Sequence, residues 1–264
     1  MDLVARARVG YLRRLSRRAI LRQIAGARDV AFIRLVGNIG DELIWAGTRQ
    51  LLVDVPYREV FVGDVGSDAG GDLALVAGGG GWCRPFHGLV PYELPRVEER
   101  FRRVVVLPSS YDTTVEVVRE ALEGSNAMFF AREAESLRQV SDLTAAELAV
   151  DCAFHFDFRP YRRPGTGTLL AYRVDTESVR GWIPEDNDDI SLTCTSLDQW
   201  LHTIARHAVV HTDRAHVMLA AAMLGKRVFW SPSSYHKLPG IAGWSLRGLV
   251  EHAPNEPLPV GASA

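Results

Sequence analysis

The chain has 264 residues, 47% of them hydrophobic, and a formal net charge of -2 at pH 7; it can form one large α/β domain or two small ones with packed cores, and its charge argues against nucleic acid as the main partner. Its three cysteines, Cys83, Cys152 and Cys194, are odd in number and far apart, which fits a reducing compartment and argues against a disulfide framework or a zinc site. No apolar run approaches the roughly 18 residues that span a bilayer, and the N-terminus is too broken by arginine for a secretory signal, so a soluble cytoplasmic protein is expected.

The first 28 residues are crowded with arginine, at positions Arg6, Arg8, Arg13, Arg14, Arg17, Arg18, Arg22 and Arg28. Leu12, Leu15, Ala19, Ile20 and Ile24 lie between them at helical spacing. Two readings follow: a basic amphipathic helix lying on an anionic membrane, or a terminal helix that packs its apolar stripe on the protein and solvates its arginines. The second is slightly favoured; the first would make the protein membrane-peripheral.

From Asp29 the pattern alternates between strands and helices. Val30 to Val36 is an apolar strand, Gly37 to Asp41 a tight loop, and Glu42 to Val53 a helix with Leu43, Ile44, Leu51 and Leu52 at helical period. The loop matches neither the dinucleotide fingerprint nor the Walker phosphate loop. Further strands are expected at Glu59 to Val62, Leu73 to Ala77, Val104 to Leu107, Ala127 to Ala131 and Leu148 to Val150. Polar or glycine-rich loops follow several of them: Gly78 to Gly81 after Ala77, Pro108 to Ser110 after Leu107, and Arg132, Glu133 and Ser136 after Ala131. Four consecutive glycines cost backbone entropy, which suggests a close approach of backbone to ligand. In open parallel sheets, ligands bind at these carboxyl ends.

Arg159 to Gly167 is rich in Pro, Gly and Arg and marks a linker. The expected organisation is a basic helix over residues 1–28, α/β halves over 29–160 and 161–252, and a disordered tail over 253–264. In the second half Thr168 to Tyr172 is a strand, Gly181 to Asp189 an acidic loop, and Leu197 to Arg206 a helix opened by a Ser196 and Gln199 capping box. Ala208 to His211 is a buried strand and Arg227 to Trp230 another. Between them lies a helix starting near Arg214, with Thr212 and Asp213 available as caps and Gly225 as its stop. Arg214 and His216 therefore fall in the first helical turn, where free N–H groups favour an anion. The pair suggests an anionic ligand beside an acid/base group; a solvated helix cap is the competing explanation. His155, His202, His207, His211, His236 and His252 read as structural or solvated, and no protein-built metal site is expected. Trp82, Phe86 and His87 either stack on a sugar ring or cover a core edge.

In this order the motifs resemble those of the polysaccharide pyruvyl transferases. The resemblance rests on Gly37, Asn38, Gly40 and Asp41; glycines 78 to 80; Pro108 with Ser110; Arg132, Glu133 and Ser136; Asp151 with Phe154; Arg173, Asp175 and Glu177; Thr212, Asp213, Arg214 and His216; and Tyr235 with Lys237. Departures are Ala215 where a larger apolar residue is usual, Val217 in place of a common glycine, and Ser109 in place of a common glutamine. The resemblance implies two Rossmann-like domains with parallel sheets facing a cleft, as in glycosyltransferase-B folds. It also implies transfer of pyruvate from phosphoenolpyruvate to two sugar hydroxyls as a ketal, in exopolysaccharide or cell-surface glycan synthesis. The acceptor is then a sugar or glycan, lipid-linked in some cases, and no cofactor is needed beyond the donor substrate.

On that basis His216 and Arg214 are the expected catalytic pair. Arg132, Arg173, Asp213, Lys237, Tyr235, Ser110, Gly79 and Gly80 are expected at the donor, and Asn38, Asp41 and Trp82 at the acceptor or cleft. Arginine suits both the phosphate and the carboxylate of the donor because its planar fork binds oxyanions in pairs. Asp41 and Asp213 as helix caps, and Arg132 as a surface ion-pair partner, are equally open. A glycosyltransferase with a nucleotide-sugar donor and a non-catalytic sugar-binding relative are the alternatives.

Overall fold

The computed structural model describes residues 3–66, 69–84 and 90–253. The chain groups into two compact units, one of Gly10–Gly37 and Ile44–Phe156, the other of the described parts of Met1–Val9, Asn38–Leu43 and Asp157–Ala264. In chain order the elements are α1 (Leu3–Ile24), β1 (Val30–Arg34), α2 (Ile39–Leu51), β2 (Arg58–Phe61), β3 (Gly71–Val76), β4 (Gly79–Trp82), α3 (Val90–Arg100), β5 (Phe101–Tyr111), α4 (Glu116–Glu123), β6 (Met128–Ala131), α5 (Ala134–Val140) and β7 (Ala146–Leu148). Then come β8 (Thr168–Ala171), α6 (Ile190–Thr193), α7 (Leu197–Ala205), β9 (Val209–Thr212), α8 (Ala215–Leu224), β10 (Arg227–Trp230), α9 (Lys237–Gly243) and β11 (Glu251–His252).

The first unit holds a 7-stranded sheet in the order β2-β1-β3-β5-β6-β7, with β4 also paired to β5. Every pairing is parallel, with Ala31 opposite Arg58, Val30 opposite Leu73 and Ala74 opposite Val104. Inner strands are built on apolar runs such as Val30 to Ile33 and Leu73 to Val76, which are buried, as sheets covered on both faces require, whereas the edge strands β2 and β7 are partly exposed. The second unit holds a 4-stranded parallel sheet in the order β11-β10-β9-β8. Helix α8 is apolar on all sides, with Val217, Met218, Leu219 and Leu224 buried, and it packs on β9, β10, α7 and α9. Gly225 ends it with φ 84°. The α/β class with two parallel, Rossmann-like sheets is therefore the fold of this chain.

Several elements, among them α4, α5, α9 and β11, were not expected from the sequence, and two others depart from it for a clear physical reason. The glycine run is strand β4, not a loop: Gly79 pairs with Ser109 of β5, and a Cβ on Gly78 would lie 2.3 Å from the Pro108 carbonyl oxygen. Close backbone packing inside the sheet therefore accounts for Gly78. Helix α3 was hidden by Pro91 and Pro95; it forms because Val90, Pro91, Leu94 and Val97 are buried along one face, which outweighs the helix-breaking ring. In α1, Ala5, Val9, Ile20 and Ile24 are buried, and Ser16 Oγ accepts the Val150 N–H at 2.8 Å. Leu15 points outward instead. Phe86, His87 and the expected tail beyond residue 253 lie outside the described residues.

Candidate functional site

In a parallel sheet the carboxyl ends of all strands meet at one edge, and the loops there carry the chemistry. At that edge of the 4-stranded sheet, β8 runs into Arg173, Asp175 and Glu177, β9 into Asp213, Arg214 and His216, and β10 into the segment that holds Tyr235 and Lys237. Arg173 Nε meets Asp175 Oδ1 at 2.8 Å, and its Nη1 pairs with Glu177 Oε1. Glu177 also takes Lys237 Nζ at 2.7 Å, and the Lys237 ammonium stands 4.8 Å from the Tyr235 ring centroid. Arg214 is gripped bidentately by Asp189, Nε to Oδ1 and Nη2 to Oδ2 each at 2.5 Å, and its Nη2 reaches Asp175 Oδ2 at 3.1 Å.

Three cations are thus matched by three carboxylates in a network that is buried except at the partly exposed Asp175. Burial alone would raise the pKa of Glu177, but Lys237 and Arg173 overcome it and hold the group below its ordinary range. Asp175 is lowered in the same way: burial opposes ionisation and Arg173 and Arg214 outweigh it. Asp213 behaves differently. It is completely buried; its Oδ1 accepts the Arg173 backbone N–H at 2.7 Å, while Oδ2 has no hydrogen-bond partner among the described residues. Here burial wins over the nearby arginines and pushes the pKa up to about 6.

Asp213 does not cap the following helix. Thr212 does the local work: its Oγ1 accepts the Arg214 N–H at 3.0 Å and donates to the Ala171 carbonyl at 2.8 Å, and Arg214 occupies the N-cap position of α8. His216 then lies in the first turn of α8 and is partly buried. Its ring sits against the start of α2, since a Cβ on Gly40 would be 2.9 Å from His216 Nδ1 and 3.2 Å from His216 Cβ. That start is a reciprocal cap: Asn38 Oδ1 accepts the Gly40 N–H at 2.7 Å, and Asp41 Oδ2 accepts the Asn38 N–H at 2.9 Å. Asn38, Asp41 and His216 are therefore brought together, with both side chains of the cap already engaged.

The corresponding edge of the 7-stranded sheet has its own cluster. Arg132, at the end of β6, is buried; its Nη1 pairs with Asp151 Oδ2 at 2.7 Å and its Nε donates to Ser110 Oγ at 2.9 Å. Arg132 is thus an internal staple between strand ends, not a surface ion-pair partner. Glu133 accepts the Ser136 N–H as cap of α5, and Ser136 Oγ accepts the Tyr111 N–H at 2.8 Å. Trp82 is buried and forms an aromatic group with Tyr111 and Phe129, at centroid distances of 5.6 and 5.7 Å. Its ring packs in the core. Gly79 and Gly80 lie in β4.

Asp189 is the participant that sequence reasoning missed. Its signal was the acidic stretch between β8 and α6, whose carboxylates need cationic partners once buried. Among the described residues no group of three His, Cys, Asp or Glu is arranged to hold a metal ion.

Comparison with known proteins matches residues 38–235 to the family described as polysaccharide pyruvyl transferase. A crystal structure of a functionally uncharacterized protein from Klebsiella pneumoniae shares the fold, with a TM-score of 0.72 and 22% identity, covering 91% of this chain and 98% of that one. No curated protein matches the chain.

Proposed function

Because the chain belongs to the polysaccharide pyruvyl transferase family, we propose that it transfers the pyruvyl group of phosphoenolpyruvate to two hydroxyls of a sugar as a cyclic ketal, releasing phosphate. The observation that carries this reading is the approach of His216 to Gly40. Two family motifs far apart in sequence meet there, and they place an imidazole in the first turn of α8, beside the start of α2. Helix starts favour anions through their free N–H groups and dipole. An imidazole is a ready proton carrier at physiological pH.

The chemistry asks for those two properties together. A proton joins the methylene carbon of the donor, and the resulting oxocarbenium-like C2 is attacked by one sugar hydroxyl, whose proton returns to the base. The C2–O bond to phosphate then breaks, the second hydroxyl attacks C2, and its proton leaves with phosphate or base. We assign both proton transfers to His216. The phosphate and carboxylate of the donor are drawn to the first turn of α8, with Arg173 and Lys237 adding positive charge nearby while they stay paired with Asp175 and Glu177. Arg214 is assigned to holding the loop through Asp175 and Asp189, which engage its Nε and Nη2.

Thermal unfolding with phosphoenolpyruvate, and separately with uridine and guanosine diphosphates, tests this. A ligand at 100 times its dissociation constant stabilises the fold by about 2.7 kcal/mol. The expected result is a shift with phosphoenolpyruvate that His216→Ala retains while losing ketal formation. A shift only with a nucleotide would replace this proposal with glycosyl transfer, and wild-type turnover in His216→Ala would remove that residue from the acid/base role.

A further inference from the structure

Helix α1 contains seven arginines and no acidic residue. One stripe of it, Ala5, Val9, Ile20 and Ile24, is buried. The opposite side carries a second apolar set that the fold leaves in solvent: Leu3 is 81% exposed, Val4 76%, Tyr11 55% and Leu15 41%. With 3.6 residues per turn, these four and Arg14 and Arg18 fall within about a third of the helix circumference. Single exposed apolar residues need no explanation; four on one stripe, interleaved with arginines, do.

Pairing does not follow this division, since Arg22 lies on the outward arc and is paired, while Arg6 and Arg13 lie off it and have no ion pair among the described residues. Arg8 donates to the Trp244 carbonyl, Arg17 reaches Asp54 at 3.5 Å, and Arg22 pairs with Glu147 at 2.8 Å. Arg14 and Arg18 have no ion pair among the described residues. The outward face is therefore cationic and unneutralised within its own helix, although the whole chain carries a net charge of -2. Charge complementarity requires an anionic partner. A nucleic acid or an acidic peptide would neutralise the arginines and gain little from Leu3, Val4 and Leu15. A bilayer surface uses both, taking the apolar side chains below the headgroups while the arginines stay at phosphate level. Tyrosine suits that boundary as well. No helix among the described residues is long and apolar enough to cross a membrane, so the contact is with one leaflet.

We propose that the outward face of α1 docks the protein on the surface of an anionic lipid bilayer. The test is flotation of the full-length protein with phosphatidylcholine vesicles prepared with and without phosphatidylglycerol. The double variants Arg14→Glu/Arg18→Glu and Leu3→Ser/Leu15→Ser are compared with wild type, each first checked for an unchanged melting temperature. The wild type is expected to float only with phosphatidylglycerol present and to be released by salt. Each double variant should bind about tenfold or more weakly, as removing two cations or two inserting side chains implies. The two variants alter different residues, so failure of one to fold leaves the other as a test. Wild type that stays unbound, variants that float like wild type, or retention on single-stranded DNA without flotation would each overturn the proposal.

Discussion

A carboxyl group enclosed on all sides with only one partnered oxygen is costly to ionise, and Asp213 is in that position. Its pKa in the fold is about 6, above the ordinary carboxylate value, so between those two values the native state holds a proton that the unfolded state has lost. The stability it contributes is full below the unfolded value and falls as pH rises through about 6, by about 3 kcal/mol in total. Asp175 and Glu177 act in the opposite sense: their pKa values are lowered, so their contribution is lost only as pH falls below the ordinary carboxylate range. Asp213→Asn should flatten the decline seen when urea midpoints are followed from mildly acid to mildly alkaline pH; an undiminished decline would show that another group causes it. Arg214 gives a second expectation at this scale. Arg214→Ala leaves Asp189 buried without its partner and should cost about 3–5 kcal/mol of stability. Adding Asp189→Asn should restore much of that in denaturant unfolding, and a double variant no more stable than the single would refute the pairing. His216→Ala is the cleaner probe of chemistry for this reason.

Among elements, the start of α2 shows how far a motif can be read. Asn38 and Asp41 were recognisable as a helix cap from their types and spacing, and they form one. The need for glycine at position 40 was only partly local: a Cβ there would crowd Asn38 Oδ1 of the cap at 3.0 Å, but also the ring of His216 on a different element at 2.9 Å. Gly40→Ala would drive a methyl group into that ring, and misplacing a reacting group by about 1 Å costs on the order of 100-fold in rate. Turnover should therefore fall by that order, and because the same Cβ would crowd Asn38 Oδ1 of the cap, the melting temperature should fall too despite the better helix propensity of alanine. Wild-type kcat in Gly40→Ala would show that His216 needs no such seat. The residues after β6 teach the converse. Arg132, Glu133 and Ser136 have the look of ligand groups, yet each has a structural partner in Asp151, the α5 start or the Tyr111 backbone. Spacing revealed that they belong together and was silent on whether they face a ligand or each other.

Across the whole molecule, apolar runs of four to six residues alternating with helices of period 3.6 were enough to read an α/β chain with parallel sheets, because strands buried on both faces need continuous apolar sequence. Boundaries agreed closely at Arg227 to Trp230 and shifted by a few residues elsewhere. The failures were local contradictions between propensity and burial: the glycine strand β4 and the proline-bearing helix α3 form because neighbouring strands and a buried face outweigh intrinsic preference. What the amino-acid sequence determined by itself was the order of elements, the family motifs and the supply of charges. Only the tertiary structure decided which charges meet. Arg214 finds Asp189, Lys237 finds Glu177, and Asp213 keeps one oxygen without a partner among the described residues, because parallel strand order, and not distance along the chain, sets which loops gather at the carboxyl edge of a sheet.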